Sequence, residues 1–309
     1  MRAGSFKAFW IAFFCTAAVL APLTGTAVWL AGRQAQQQAA HSESGVAVAV
    51  PGTENRMTVL VCVADAPPAF IEVQLDAAAG TVRLAALPAQ TEVQSDSGAL
   101  TLADCYAAAG PARVTALLNR SLGAGIDRYL ALSPDTLAAL AEPLGSVRAS
   151  LSGALAPPQL AQMADSGGVE EWTAASAHRW LQQAAAKLPP ADTAAARAAL
   201  WQAWLRQQLG RLPDTLPDGL RRRSGSLLTN LTAQDLYTLG DTLGFLAAAQ
   251  APSVEGCAAG GAWDAQSGRY VPDEDDAAAL KAFFSASAAA GASAGSSAPY
   301  PSTTVSGGQ

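Results

Sequence analysis

Apolar and polar positions change their pattern several times along this chain, and each change marks a different kind of element. Residues 8–31 carry no charged side chain and follow a short flank that holds Arg2 and Lys7. A helix rises about 1.5 Å per residue, so roughly 20 apolar residues cross a hydrocarbon core of about 30 Å, whereas the core of a cleaved signal is about 7–15 residues. A transmembrane anchor is therefore expected over 8–31. Basic flanks favour the cytoplasmic side, which places residues 1–7 inside and the bulk of the chain outside the cytoplasm. Cleavage behind Thr24-Gly25-Thr26-Ala27 is the competing reading and would release a secreted protein.

Residues 32–56 are small and polar and close on Pro51-Gly52, the pattern of a linker. Residues 57–64 (MTVLVCVA) form an apolar, β-branched run that fits a strand buried on both faces. Beyond Pro67-Pro68, residues 69–76 (AFIEVQLD) and 81–87 (TVRLAAL) alternate with a period of two about a turn at Gly80, which predicts a β-hairpin. From Thr101 the period becomes helical through Leu102, Tyr106, Val114, Leu117 and Leu118, with an interruption at Gly110-Pro111. Residues 126–132 (IDRYLAL) return to a strand, and 134–144 read as a short helix closed by Gly145.

Beyond Ser146 the pattern is mainly helical. Two Ala-rich stretches, 174–187 and 192–209, are separated by Pro189-Pro190, with Asp192 or Thr193 as the expected N-cap of the second. A further helix over 233–249 is announced by Thr232 with Asp235 three residues on. Residues 285–309 are rich in Ser, Gly and Ala and read as a disordered tail. The expected architecture is α/β (α+β mixed): a central mixed sheet with helices packed on it over 57–284, preceded by one N-terminal transmembrane helix.

Composition narrows the chemistry. The 309-residue chain is 50% hydrophobic and 14% charged with a formal net charge of -6, so electrostatics give no reason to expect a nucleic-acid partner. Cys62, Cys105 and Cys257 lie beyond the anchor without a CxxC pair, which is neither a disulfide framework nor a zinc pattern. His41 and His178 are the only histidines, and His41 falls in the linker, so a His-based triad or a multi-histidine metal site is not readily assembled.

The order of segments resembles the LytR-CpsA-Psr family of membrane-anchored extracytoplasmic proteins that move lipid-linked glycopolymers onto peptidoglycan. Residues 59–65 (VLVCVAD) look like the family's opening strand ending in an acid, and 84–93 (LAALPAQTEV) like its "SIPRDTYV" segment. Residues 102–111 (LADCYAAAGP) are similar to "INAAYAYGGP", and 122–132 (LGAGIDRYLAL) to "LGIPIDYYVVV". The helix over 134–145 (PDTLAALAEPLG) is similar to "FDGFKKLVDALGG", and 270–284 (YVPDEDDAAALKAFF) to "YYIPDEEELKEL".

The resemblance implies acidic residues around a divalent cation and arginines around the pyrophosphate of a polyprenyl-linked sugar, because charge developing on a phosphoryl group must be neutralised nearby. Several of those positions are neutral here. The family's Arg-Asp falls on Ala89-Gln90, its Arg-Ser-Asp on Ala66-Pro67-Pro68, its Asn on Ala103 and one arginine on Gln182. Asp65 and Arg197 remain, as a candidate metal or site acid and a candidate phosphate-binding residue, and Arg179 is a candidate substitute for a lost arginine. Mg²⁺ is expected only if the protein is active, since a lone carboxylate is a poor site for it.

Trp180, Trp201 and Trp204, with Trp172, are candidates for an apolar wall against a prenyl chain, as the family's lipid pocket requires. Each candidate has a plainer alternative: Asp65 a solvated turn residue, Arg197 a solvated or salt-bridged helix residue, the tryptophans a core between helices. Arg221-Arg222-Arg223 reads as a solvated basic loop or a contact with anionic lipid. The expected function is a membrane-anchored, extracytoplasmic protein of cell-envelope assembly, degenerate as a transferase, with membrane and a polyprenyl-phosphate-linked glycan or cell-wall polymer as partners. An active glycopolymer phosphotransferase and a structural envelope protein without ligand are the alternatives.

Overall fold

In a computed structural model of the protein, which describes residues 50–286 except 97, the apolar run after the linker becomes strand β1 (Arg56–Val63). The two alternating segments form β2 (Ala69–Asp76) and β3 (Thr81–Leu87). β2 pairs antiparallel with both neighbours, Val73 standing opposite Val59 on one side and Leu84 on the other. A small hairpin of β4 (Glu92–Ser95) and β5 (Gly98–Thr101) leads into helix α1 (Leu102–Ser121). Thr101 caps α1 by accepting the Asp104 N–H. The expected interruption is a kink at Gly110, whose φ of 71° and ψ of -172° leave helical space where glycine carries no Cβ penalty. Pro111 has no N–H to lose there.

β6 (Arg128–Leu132) returns parallel to β1 and α2 (Pro134–Ala141) follows from a Ser133 cap. Next come β7 (Val147–Ala149), α3 (Pro157–Gln162), β8 (Glu170–Trp172), α4 (Ala174–Lys187), α5 (Pro190–Gln208) and α6 (Leu212–Arg222). The chain continues through β9 (Leu227–Thr229), α7 (Ala233–Ala248), β10 (Ser253–Ala258), β11 (Ala262–Asp264), β12 (Arg269–Val271) and α8 (Glu274–Ser285). The main sheet runs β10-β3-β2-β1-β6-β9, with parallel pairs β1·β6 and β3·β10 among antiparallel ones. It is the mixed sheet with packed helices that the sequence pattern implies.

Side chains alternate across each strand, so one sheet buries two cores. Val61, Ile71, Val73 and Leu84 face helices α5, α6 and α7, while Leu60, Cys62, Phe70 and Leu87 face α1 and α8. A third cluster packs β7 and β8 with α4 and α5 around Leu151, Trp172 and Leu200. The three cysteines beyond the linker are free thiols, and burial pushes Cys62 up to about 12.

Several local expectations are corrected. The cap of α5 is neither Asp192 nor Thr193: the helix opens at Pro190, whose fixed φ suits a first turn and whose missing N–H leaves no orphan donor. Arg221 and Arg222 form the last turn of α6 rather than a loop, and Arg221 pairs with Asp218 at 2.6 Å. β10 escapes the sequence pattern because it is short and contains Gly256. A Cβ there would stand 3.2 Å from Gln202 Cβ and 3.3 Å from Ala198 O, so glycine is what lets α5 lie against the strand. The anchor expected over 8–31 and the tail from 287 onward lie outside the described residues. Among the described residues no helix is long and apolar enough to cross a membrane.

Candidate functional site

Asp65 stands just past the end of β1, where Ala64 N–H donates to Leu132 O of the parallel neighbour at 2.8 Å. The carboxyl ends of parallel strands are where open α/β sheets place their ligands. Facing it is α4, whose start is fixed by a capping box in which Thr173 and Ser176 satisfy each other's backbone N–H. His178 and Gln182, four residues apart, then share a face of the helix. His178 Nε2 lies 3.3 Å from Asp65 Oδ2, and Gln182 Nε2 donates to the same oxygen at 3.1 Å.

α5 brings Arg197, Trp201, Trp204 and Leu205 to the same region, at the spacing of one helical face. Arg197 is 9% exposed, and among the described residues its guanidinium makes no hydrogen bond or ion pair. Burial lowers it to about 10, opposed by attraction to Asp65, so it remains charged at neutral pH.

These groups sit at the polar end of a cavity of about 210 Å³. The floor is the sheet, through Val61, Val63, Ile71, Leu130 and Leu132; the other walls are Leu137 and Leu140 of α2, Leu181 of α4, the α5 residues, and Leu212 and Leu216 of α6. The space persists because α4 presents Ala174, Ala177 and Ala185 toward it, side chains too short to fill the gap between layers. Among the described residues, Asp65, His178, Gln182 and Arg197 are the lining residues with ionisable or amide side chains, and the indoles of Trp201 and Trp204 add one N–H each.

The structure brings Asp65, Arg197, Trp201 and Trp204 together and leaves two candidates outside. Arg179 is exposed and does not line the cavity. Trp180 packs edge-on against Trp172 with ring centroids 6.0 Å apart, in the third core cluster. Trp172 is buried there, with Nε1 donating to Ala149 O at 3.2 Å. His178 was not singled out by sequence reasoning, which treated histidines only as members of larger sets; its spacing of four from Gln182 was the available signal. Of the family's charged positions that are neutral here, Ala66 and Gln182 line the cavity.

The donor set does not fit Mg²⁺. Among the described residues Asp65 is the sole lining carboxylate, and its Oδ2 already faces His178 and accepts from Gln182. An octahedral oxygen site asks for more than this.

No family model matches the sequence, and no curated protein does. Solved structures do match. A provisional transcription regulator from Eubacterium siraeum aligns with a TM-score of 0.62 at 16% identity, over 78% of this chain and 96% of its own. TagT bound to LIIa-WTA aligns at 0.59 and 14%, over 79% and 96%, and Bacillus subtilis TagT at 0.57 and 14%, over 76% and 93%. TagT is a LytR-CpsA-Psr enzyme. At these identities the likeness is one of architecture, and in its architecture the chain has the LytR-CpsA-Psr fold.

Proposed function

We propose that the protein is a membrane-anchored, extracytoplasmic component of cell-envelope assembly that binds a polyprenyl-phosphate-linked glycan without transferring it. The observation that carries this reading is the unpartnered guanidinium of Arg197 at the polar end of an otherwise apolar cavity. A buried charge is retained only where something compensates it, and an anionic head group on an apolar tail supplies both the compensation and the occupant of the cavity. The complexes of TagT with LIIa-WTA and LI-WTA support a glycopolymer ligand for this architecture. Loss of charge at Gln182 and Ala66 supports binding over turnover.

The second reading, an active phosphotransferase, draws on Asp65 and Arg197 lying in one cavity. A thermal-shift titration of the full-length chain in phosphatidylcholine nanodiscs with a polyprenyl phosphate, with and without Mg²⁺, separates the two. Saturation at about 100 times Kd stabilises by about 2.7 kcal/mol. Stabilisation that is equal with and without the metal is the expected result. Stabilisation that requires Mg²⁺, with turnover, would establish the enzyme, and none at all would remove the ligand.

A further inference from the structure

We infer that the head-group subsite is built for a lipid carrying a single negative charge, a carboxylate or a phosphodiester, and discriminates against a pyrophosphate. The inference rests on the reading of the cavity as a lipid site. Its ground is the charge inventory of the polar end. Among the described residues, Arg197 is the only permanently positive side chain that lines the cavity, and Asp65 is the only carboxylate. Arg179, the nearest candidate for a second cation in the sequence, is exposed and stays outside.

The partners are already distributed. Asp65 accepts from Gln182 and faces His178, whereas Arg197, which also lines the cavity, is linked to Asp65 only by Coulombic attraction and has no hydrogen-bond acceptor among the described residues. A planar guanidinium takes one carboxylate or one phosphate group through two parallel hydrogen bonds. A single anionic group therefore satisfies Arg197 and leaves the arrangement around Asp65 intact. A pyrophosphate brings further negative charge into a site that has, among the described residues, no second permanent cation, against the carboxylate of Asp65 and between apolar walls that screen it poorly. The same reasoning disfavours an uncharged alcohol, which leaves the guanidinium short of a counter-charge.

The test uses the full-length chain in phosphatidylcholine nanodiscs and four ligands with one farnesyl tail: farnesoate, farnesyl methyl phosphate, farnesyl pyrophosphate and farnesol. Binding is read from tryptophan fluorescence, since Trp201 and Trp204 line the cavity. At least one of the two monoanions is expected to bind about tenfold tighter than both the pyrophosphate and the alcohol, the difference expected of a charge-assisted pair. Which monoanion leads tells a carboxylate lipid from a phosphodiester. Asp65→Asn raises the charge of the site by one and is expected to shift the preference toward pyrophosphate by about tenfold. Gln182→Arg, at an exposed position, adds the same charge without removing the carboxylate and carries the same expectation if the first variant does not fold. Pyrophosphate binding as tightly as the monoanions overturns the inference and leaves the lipid cavity standing, as does farnesol matching them. Failure of all four ligands removes the lipid cavity itself.

Discussion

Gln182 and Asp65 lie 117 positions apart in the chain and are joined by a hydrogen bond of 3.1 Å from the amide to the carboxylate. His178, one turn earlier on the same helix, lies 3.3 Å from the same oxygen. The two side chains hold the carboxylate of Asp65 while Arg197, on the next helix, keeps its donors free. Gln182→Ala should release Asp65 to compete for Arg197 and weaken binding of an anionic lipid several-fold. Because Gln182 is exposed, unfolding stability should change by no more than about 0.5 kcal/mol. A variant that melts lower but binds unchanged would show the amide to be merely structural.

Arg197 gives a prediction with opposite signs for stability and binding. The Arg197 side chain is buried and its guanidinium has no hydrogen-bond partner among the described residues, a state that costs free energy in the protein alone. Arg197→Met, of similar length and apolar, should raise the stability of the ligand-free protein by about 1–2 kcal/mol. The same substitution should abolish stabilisation by an anionic lipid. Calorimetry with and without ligand reads both, and a less stable variant that still responds fully to ligand contradicts the assignment.

Stability should fall at alkaline pH because of Glu72. This residue sits in β2 between Leu60 and Ala85, fully buried, with neither carboxyl oxygen hydrogen-bonded. Burial pushes it from 4.5 up to about 8, so the folded state holds the proton more tightly than the unfolded state. The contribution is fully present below pH 4.5 and is lost as pH rises through about 8. The loss amounts to a few kcal/mol by pH 9, on the scale of about 1.4 kcal/mol per unit. Glu72→Gln should flatten the melting temperature between pH 7 and 9, and a parent protein already flat over that range would contradict the argument.

At the acid end the sensitive pair is Arg128 and Asp235, bound through two hydrogen bonds of 3.0 Å. Asp235 also caps α7 with Thr232. The Arg128 hydrogen bonds are the main reason its pKa drops to about 2, so its stabilisation is present above the ordinary value of 3.8 and is lost as pH falls toward 2. Asp235→Ala should cost about 1–2 kcal/mol at pH 7 through the cap and the pair together. The deficit should shrink on acid titration, and one that persists at pH 2 would have another origin.

Much of the fold was legible because its signals are local. The alternation over 69–76 and 81–87 sets both strands of the first hairpin, and the Thr232–Asp235 spacing marks the start of α7. β7, β8 and β9 were not legible, since three residues hold too few periods to signal a strand and owe their existence to partners distant in sequence. Asp65, Arg197, Trp201 and Trp204 were named as candidates and lie together. Arg179 and Trp180 were misplaced because a helix turns about 100° per residue: with His178 toward the cavity, its two successors point away.

The floor of the cavity and its ceiling are held by different forces. Strands β1, β2 and β6 are locked by backbone hydrogen bonds, so Val61, Ile71 and Leu130 keep fixed places on a lattice with a spacing of about 4.8 Å. The ceiling is carried by helices that meet one another through side chains, and α4 rests over the gap on alanines that grip little. If the cavity takes a hydrocarbon as proposed, a thicker or longer one displaces the helical ceiling before the hydrogen-bonded floor. On the proposed reading, discrimination belongs to the polar group around Arg197 and tolerance to the apolar helical walls that include Leu212 and Leu216: a lock beside a sleeve.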